Sequence, residues 1–396
     1  MLMTALEEEV ATYIERHQGE RDAAGRRLVV RNGKAHHARK VTCGAGTLTV
    51  TPPRVHHRRV DEHGEAQRFT SRLLPPYMRR SPKVSEVLPV LYLRGLSTGD
   101  FQPALRVLLG EDAAGLSSTN IARLTAVWED EYRQFRQRRL VDRDYVYVWA
   151  DGIHFNVRLE DDRLCTLVLI GARPDGTKEL IALEDGYRES QESWASVLRD
   201  LKRRGMQAPV VAVGDGALGF WAAVRAVWPE TQEQRDWCHK LANVLDKLPK
   251  RLQGKAKQIL RQAMYADTRD HAEEQLDAFA REFSPKYDKA VACLLADRDR
   301  LLTFFTFPAE HWKHLRTSNV IESPFATVRL RQRVTKGAGN RTKALMMAFK
   351  LLQMAQQRWR RLDGAHLLPL VRAGVTFADG AQLERENPHK ERKEAA

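Results

Sequence analysis

Cysteine is scarce in this chain, and both long apolar runs and a secretory leader pattern are missing. The four cysteines, Cys43, Cys165, Cys238 and Cys293, are widely spaced and form no Cys-x-x-Cys pair, so neither a zinc knuckle nor a disulfide framework is indicated. No apolar run is long enough to cross a membrane, so we expect no membrane span. The N-terminus carries Glu7–Glu9 where a secretory signal needs a basic and then an apolar segment. These absences predict a protein of the reducing cytoplasm.

The charge balance is strongly basic. The chain has 396 residues, of which 65 are Lys or Arg and 51 are Asp or Glu, so its net charge is +14. Its length predicts two or three domains. A protein this basic favours a polyanionic partner, most often nucleic acid. The alternative is that the charge serves solubility alone.

Segments of different character follow one another along the chain. An initial helix is expected to run to Arg27, and short strand candidates separated by glycines predict a small β unit over residues 28–60. From residue 142 to 248 three strands are followed by helix, strand and helix, the order of a mixed α/β layer fold. Residues 239–316 read as helices with no convincing strand. The predicted divisions are 1–80, 81–141, 142–248, 249–316, 317–365 and a tail over 366–396.

The segment from residue 81 to 141 has a helix-turn-helix layout. Two predicted helices are separated by Gly95–Gly99, and a third begins near Ser117. The last helix of such a motif enters the major groove of DNA. We therefore expect four side chains near its start to face DNA, namely Ser118, Thr119, Asn120 and Arg123. The alternative is an ordinary helical bundle that uses Ser and Thr as helix caps.

Two aspartates each follow an apolar, β-prone segment and precede a glycine. Asp151-Gly152 follows residues 144–150, and Asp215-Gly216 follows residues 208–214. We expect each carboxylate at the tip of a rigid strand, where glycine lets the chain turn sharply. Such tips hold a metal ion well. Asp-Gly pairs are also common in ordinary turns, so either pair alone is a weak signal.

The best third acidic residue is Glu322, which opens a very basic helical region. From Ser323 to Leu362 there are ten Lys or Arg and no Asp or Glu, and Arg329 falls two helical turns after Glu322 on the same face. The cations Arg331, Arg333, Lys336 and Arg341 are expected to contact DNA phosphates.

Two features weaken that assignment. Because Pro324 favours the first turn of a helix, we expect this helix to begin at or just after Glu322. Glu322 could instead complete a capping box begun by Asn319, and Glu310 is the next candidate.

Three carboxylates suit chemistry at phosphorus. Hydrolysis and transfer of a phosphodiester are in-line displacements, which two divalent ions can assist by contacting the attacking and leaving oxygens. Mg²⁺ prefers oxygen ligands and keeps several waters. We therefore expect two Mg²⁺ or Mn²⁺ ions at Asp151, Asp215 and Glu322, with Asp151 bridging both.

Several motifs together resemble one family. They are Phe69–Tyr77, Leu91–Thr98, Trp149–Gly152, Val213–Gly216, Asp236–Leu245 and Arg316–Glu322. They resemble transposases of the mutator type from bacterial insertion sequences, which are DDE recombinases. The resemblance covers roughly residues 65–365.

The resemblance implies a fold, a function and roles for residues. The fold would be a ribonuclease-H-like mixed sheet flanked by helices, interrupted by an all-α insertion and preceded by the helix-turn-helix region. Asp151, Asp215 and Glu322 would be the metal-binding triad, Asp236 and His239 the family's Asp-x-x-His motif near the active site, and Arg329 the basic residue after the glutamate. Without the resemblance, Asp236 and His239 could simply mark a solvated helix start.

The predicted function is that of a DNA transposase. It would bind the terminal inverted repeats of an insertion sequence, cleave DNA with Mg²⁺ and transfer the strand to a target, acting as a homodimer on double-stranded DNA near the bacterial nucleoid. A non-catalytic regulator derived from a transposase is one alternative, which loss of any triad residue would have favoured. A structure-specific nuclease of the same fold is the other, and it would leave the helix-turn-helix without a role.

Overall fold

The chain divides into two compact units, Met1–Val127 and Trp128–Ala396. The computed structural model describes residues 1–44, 46–60, 65–84, 87, 91, 118–155, 164–186, 190–216, 218–335 and 340–383. Most of the predicted helix-turn-helix lies outside these residues. Within the described ranges, no helix is both long and apolar enough to cross a membrane.

Up to residue 60, the described part of the first unit contains one helix and two small antiparallel pairs of strands. Helix α1 spans Leu2–Arg16, and the strands are β1 (Val29–Lys34), β2 (Arg39–Cys43), β3 (Gly46–Val50) and β4 (Pro53–His57). Strand β1 pairs with β4, and β2 pairs with β3. Buried Leu6, Val41, Val50 and Leu74 form its hydrophobic cluster. The predicted β unit is confirmed, with β4 in addition.

The expectation that the first helix reaches Arg27 is wrong. Helix α1 ends at Arg16, and a turn follows in which Asp22 Oδ1 accepts the backbone N–H groups of Ala24 and Arg26 at 3.0 and 2.8 Å. An aspartate that bonds nearby backbone in this way competes with the helix for the same groups. The helix therefore stops before this segment.

The second unit is built on a five-stranded mixed sheet. Its strands are β5 (Tyr147–Phe155), β6 (Leu164–Ala172), β7 (Lys178–Gly186), β8 (Val211–Gly214) and β9 (Gln232–Arg235), in the spatial order β7-β6-β5-β8-β9. The pairs within β5–β7 are antiparallel, whereas β8 runs parallel to both β5 and β9. Helices α3 (Gln191–Arg203) and α4 (Leu218–Val227) connect the later strands. The α/β class with a mixed sheet is confirmed.

The sheet is hydrophobic because its central strands are buried along most of their length. Tyr145–Ala150 and Leu167–Ile170 are at most 2% exposed. Helix α3 packs Trp194, Leu198 and Leu201 into the core, and the hydroxyl of Ser190 caps its N-terminus by accepting from the N–H of Ser193 at 3.2 Å. This helix lies where its apolar periodicity predicts it.

Helix α2 (Ser118–Gln137) carries the chain into the second unit. From Trp128 onward its apolar side chains pack into that unit. The Tyr132 hydroxyl donates to the carbonyl of Leu183 at 2.7 Å, and the rings of Phe135 and Phe349 lie 5.0 Å apart.

A helical segment follows the sheet. It comprises α5 (Trp237–Leu245), α6 (Lys250–Met264), α7 (Arg269–Phe283), α8 (Asp288–Leu295), α9 (Arg298–Leu302) and α10 (Trp312–Leu315), with short 3₁₀ turns before α10. Residues 237–316 are all described and contain no strand, so the predicted helical character of this stretch is confirmed.

The last elements return to the sheet. They are α11 (Asn319–Thr335), α12 (Arg341–Gln356), α13 (Leu368–Arg372) and a hairpin of β10 (Phe377–Ala378) and β11 (Ala381–Gln382). Helix α11 packs against β5 and β6, and α12 against β7. Arg372 binds Asp144, just before β5, and donates to the carbonyl of Ala208 at 2.7 Å. The packing of α11 against β5 brings the helix that carries Glu322 to the strand that carries Asp151.

Candidate active site

The two aspartates lie side by side on neighbouring parallel strands. The parallel pairing of β5 with β8 ends at Ala150 and Gly214, and Asp151 and Asp215 are the next residues on each chain segment. Because paired strands run about 4.8 Å apart, the two backbones are neighbours at this point. Both aspartates are half-buried.

The expectation that Asp151 ends its strand is wrong. Strand β5 continues through Gly152 to Phe155 and stays paired with β6, with Asp151 opposite Val168. Gly152 makes no turn, and its N–H donates to Asp151 Oδ1 at 2.7 Å. What ends here is the parallel partner, because β8 stops at Gly214. The carboxylate thus lies on a continuous strand, next to the end of its neighbour.

Asp215 does follow the end of its strand, as predicted, and Gly216 is needed there. Gly216 has a φ of 90°, and a Cβ at this position would lie 2.0 Å from Nη1 of Arg235. Arg235 is 3% exposed and ends β9. Burial lowers the pKa of Arg235, and the charges of Asp297 and Asp215 oppose that shift. Sequence analysis missed this buried cation, although its place directly before Asp236 was visible.

One buried carboxylate, Asp236, caps two helices. Its Oδ1 accepts from the N–H of His239 at 2.6 Å, in the first turn of α5. Its Oδ2 accepts from the N–H of Ser318 at 2.5 Å, directly before α11. Burial alone would raise the pKa of Asp236, but hydrogen bonds from His239 and Ser318 outweigh it and hold the pKa below its ordinary value. The charged carboxylate therefore fixes the start of α11 against the start of α5.

His239 is a cation among carboxylates. Its Nδ1 lies 2.9 Å from Asp236 Oδ1 and 3.6 Å from Glu322 Oε1. The hydrogen bond to Asp236 and the charges of Asp236, Glu322 and Asp215 raise the pKa of His239 to about 9, although burial opposes the shift. At neutral pH the ring is therefore an imidazolium. Its side chain is 40% exposed, so it reaches both the carboxylates and the solvent.

Glu322 lies in the first turn of α11 and is held by Ser318. Its N–H donates to the carbonyl of Ser318 at 2.9 Å, and its Oε1 accepts from the Ser318 hydroxyl at 2.8 Å. Ser318, not Asn319, therefore directly precedes this turn and bonds Glu322. The expectation that the helix begins at or after Glu322 is wrong, because α11 begins at Asn319 and contains Pro324. Pro324 removes one N–H donor from the helix, but Glu322 stands on regular helix.

Three groups come close enough to share one cation. Ligand atoms of Asp236, His239 and Glu322 lie within 4.8 Å of one another. The oxygens of Asp236 already accept backbone N–H groups, and the ring nitrogen of His239 that faces the group is bonded to Asp236. Glu322, with a side chain that is 32% exposed, is the member able to present a carboxylate oxygen outward.

The predicted basic residues of α11 have different surroundings. Arg329 is exposed, two turns from Glu322, with its guanidinium 5.8 Å from the ring centroid of Phe325. Arg333 is exposed too. Arg331 is 3% exposed, because it falls on the side of α11 that buries Phe325 and Val328. The contact with a DNA phosphate predicted for Arg331 would therefore require this buried side chain to become accessible, and it stays a prediction.

The other predicted DNA contacts are mostly beyond what the structure describes. Arg341 starts α12 and pairs with Asp185, with Nη2 2.8 Å from Oδ1. Lys336 lies outside the described residues. Four predicted contacts lie on the helical backbone of α2, and the structure does not describe their side chains. They are Ser118, Thr119, Asn120 and Arg123.

Comparison with known proteins identifies relatives along nearly the whole chain. Residues 1–361 match the family described as "Transposase, Mutator family". The chain is 57% identical over 302 residues to the transposase for insertion sequence element IS6120 of Mycolicibacterium smegmatis, covering 76% of this chain and 93% of that protein. It is 47% identical over 287 residues to the transposase for element IST2 of Acidithiobacillus ferrooxidans, covering 70% of this chain and 95% of that protein.

A more distant relative extends the match. The transposase for element ISRM5 of Rhizobium meliloti is 27% identical over 361 residues, covering 91% of this chain and 86% of that protein. The family match, over residues 1–361, includes the segments that hold the carboxylates described above. The chain belongs to the Mutator family of transposases.

Proposed function

We propose that this transposase cleaves DNA at the terminal inverted repeats of an insertion sequence and transfers the freed strand to a target. Asp151, Asp215 and Glu322 are its catalytic carboxylates. The observation that carries the proposal is the placement of Asp151 and Asp215 beside each other where β8 ends. The third carboxylate stands on α11, which packs against β5.

The sheet topology supports a ribonuclease-H-like assignment. Three antiparallel strands are followed by two parallel ones in the order β7-β6-β5-β8-β9, and a helical segment separates the last strand from α11. This order puts an aspartate from the first strand next to one from the fourth. It also gives α5–α10 the place of the all-α insertion that the family resemblance implies.

The donor set fits Mg²⁺ or Mn²⁺, two ions per site. Asp151, Asp215 and Glu322 offer carboxylate oxygens, which these hard cations prefer. Asp236 is less suited to the role, because both its oxygens accept backbone hydrogen bonds. When bound, such ions polarise the phosphodiester and make the attacking oxygen a better nucleophile.

The chain's own residues position the reactants. Ser318 holds one oxygen of Glu322 at 2.8 Å, so the carboxylate keeps one orientation. The imidazolium of His239 reaches the surface beside Glu322, where it favours binding of a phosphate group. The exposed guanidiniums of Arg329 and Arg333 follow along α11 and extend the positive surface along a DNA backbone.

Binding of the element's ends is assigned to the helix-turn-helix region, with Ser118, Thr119, Asn120 and Arg123 near the start of its last helix. Because two ends must be joined in one event, the working form is a homodimer on double-stranded DNA. A nuclease of the same fold would hydrolyse the ends without joining them, and a regulator would bind them without cutting.

Changing Asp151 to Asn tests the proposal directly. We expect Asp151→Asn to lower DNA cleavage in Mg²⁺ by at least 10³-fold, since it removes a charged ligand, and to leave binding of the ends within about twofold. The measurement is gel-based cleavage and joining of labelled DNA that carries the sequences flanking the gene.

The matched control is Asp246→Asn, which alters an exposed carboxylate at the end of α5. It should cleave and join DNA like the unaltered chain. Normal cleavage by Asp151→Asn would refute the assignment. Cleavage without joining by the unaltered chain would favour the nuclease, and binding without cleavage would favour the regulator.

A further inference from the structure

Helix α6 is basic along its whole length. It spans 15 residues, and it contains no Asp or Glu. Its five cations are all exposed, namely Lys250, Arg251, Lys255, Lys257 and Arg261. Like charges on one helix repel one another and destabilise it. A helix that carries charges of a single sign therefore indicates a function for that charge.

The neighbouring helix α7 has the opposite character. It packs against α6 and carries five carboxylates against two arginines; the carboxylates are Asp270, Glu273, Glu274, Asp277 and Glu282, and the arginines are Arg269 and Arg281. Lys255 forms an ion pair with Glu282. Lys257 and Arg261 form no ion pair with any carboxylate of the described residues. Solubility is served by mixed charges, so this separation of charge onto two helices points to an anionic partner on the α6 side.

The exposed side of α6 also has the shape of a binding surface. An open groove of about 550 Å³ runs along it. Most side chains that line this α6 groove are long and polar or aromatic, namely Lys257, Gln258, Arg261, Gln262, Tyr265 and His271; Gly254, Ala266 and one carboxylate, Asp267, complete the lining. Tyr265 is 60% exposed, and glutamine and tyrosine side chains can hydrogen-bond phosphate and sugar oxygens as well as water.

The α6 groove ends beside Arg316, in the segment that leads to Glu322. Arg316 donates through Nη1 to the carbonyl of Met264 at 2.9 Å, and its guanidinium lies 4.8 Å from the ring centroid of Tyr265. Two residues after Arg316 stands Ser318, which binds Glu322. Arg316 therefore links the end of the groove to the segment that carries Ser318 and Glu322.

We infer that the α6 groove binds the phosphodiester backbone of the DNA whose scissile phosphate lies at Asp151, Asp215 and Glu322. Lys257 and Arg261 supply the phosphate contacts, and Arg316 fixes the end of the groove to the start of α11. The location of the scissile phosphate rests on the proposed function. The binding of DNA by the α6 groove does not depend on it.

The test is a paired charge reversal with binding measured in the absence of chemistry. The full chain and its Lys257→Glu/Arg261→Glu variant bind a fluorescein-labelled 30-base-pair duplex of mixed sequence in EDTA, and anisotropy gives the affinity from about 50 to 200 mM KCl. We expect affinity to fall roughly tenfold or more, and the slope of log K against log salt to shrink by about 2, since each lost phosphate contact is worth about 0.9.

The control is Lys286→Glu/Lys289→Glu, which makes the same charge change at exposed positions of the helical segment outside the groove. It should keep the slope and most of the affinity. Equal losses in both variants would overturn the inference, and so would displacement of the duplex by polyglutamate at matched charge concentration. If circular dichroism shows that the charge-reversed variant does not fold, the neutral variant Lys257→Gln/Arg261→Gln takes its place. The slope of log K against log salt should then change by the same amount. Because EDTA removes the metal, a failure of the cleavage proposal leaves this binding result unaffected.

Discussion

At the scale of single residues, Asp236 has the densest set of contacts in the site. It is fully buried and accepts from two backbone N–H groups, those of His239 and Ser318, that open different helices. A buried charge is tolerated only when hydrogen bonds replace its water, and here those bonds also set where Glu322 stands. Asp236 is therefore a positioning residue, while Glu322 and His239 face the solvent.

Replacing Asp236 should cost more than one hydrogen bond. Asp236→Asn puts an N–H₂ group against a backbone N–H, so we expect a loss of about 3 kcal/mol in unfolding free energy. Ser318→Ala removes a hydroxyl that bonds Glu322 and should cost about 1 kcal/mol. Because the two residues contact each other, the double variant should lose about 1 kcal/mol less than the sum. Urea denaturation of the four proteins measures this coupling, and strict additivity would contradict the shared network.

The candidate catalytic residues could be chosen from the sequence, but the groups that position them could not. Asp151 and Asp215 stand out because each follows a β-prone run, and Glu322 because a basic helix follows it. Ser318 bonds a residue 82 positions away, and no local pattern reports such a contact. Arg235 is hidden for the same reason, since its role depends on the close approach of Gly216 from another strand.

At the scale of elements, hydrophobic pattern predicted the strands and helices better than it predicted their ends. Strands β6 and β7 and helix α3 appear where their apolar residues indicate. Strand β4 was missed because it opens at Pro53, and proline suggests a break although it is tolerated at the first position of a strand. The end of β5 was misplaced because Gly152 is a turn signal only when no neighbouring strand holds it, and β6 does hold it here.

His314 on helix α10 makes two bonds, one through its backbone carbonyl to the sheet and one through its ring to Asp363. Trp149 on β5 donates through Nε1 to the carbonyl of His314 at 2.9 Å, and Nε2 of His314 lies 3.2 Å from the backbone N of Asp363, which donates to it. Burial lowers the pKa of His314 to about 4. The ring must therefore be neutral to accept this bond.

This histidine should make the fold sensitive to mild acid. The folded pKa, about 4, is below the unfolded value of 6.5, so protonation favours the unfolded chain. Above pH 6.5 the histidine is neutral in both states and the free energy of unfolding has its full value. As pH falls towards 4, the free energy of unfolding decreases by at most about 3 kcal/mol. His314→Gln keeps an acceptor for Asp363 without titrating, so its unfolding free energy should fall less over this range. Denaturant titrations between pH 7 and 4.5 measure the difference.

The control is His271→Gln, at an exposed position, which should follow the unaltered chain. Parallel curves for all three proteins would rule out His314 as the cause.

At the scale of the whole molecule, composition indicated the partner class, but the boundary between the units was not visible. The division falls at Val127 and Trp128, inside the continuous helix α2. No glycine or proline marks this point, and the charged stretch that follows Trp128 continues the same helix, so sequence patterns set the second unit to begin near residue 142 instead. Only the packing of Trp128 and Tyr132, which are 3% and 8% exposed, shows that this stretch belongs with the sheet.

Two truncations distinguish the observed boundary from the one that the sequence suggests. Removing residues 1–127 keeps Trp128, Tyr132 and Leu140 in the core of the second unit, so we expect a cooperative unfolding transition. Removing residues 1–140 takes away these three buried side chains, each worth roughly 1.5–3 kcal/mol, and also the bonds from Arg138 to the carbonyls of Leu180 and Ile181. The loss of about 5 kcal/mol or more should lower Tm by roughly 10 °C relative to the shorter truncation.

Calorimetry of the two fragments measures the difference, and equal melting temperatures would show that residues 128–140 are a linker after all. Binding of the element's ends gives an independent result, because both fragments lack the predicted recognition residues Ser118, Thr119, Asn120 and Arg123. Both should therefore lose end-specific binding, while both retain the α6 groove and its weaker, salt-dependent affinity for mixed-sequence DNA. A fragment that kept specific end binding would move the recognition surface into the second unit.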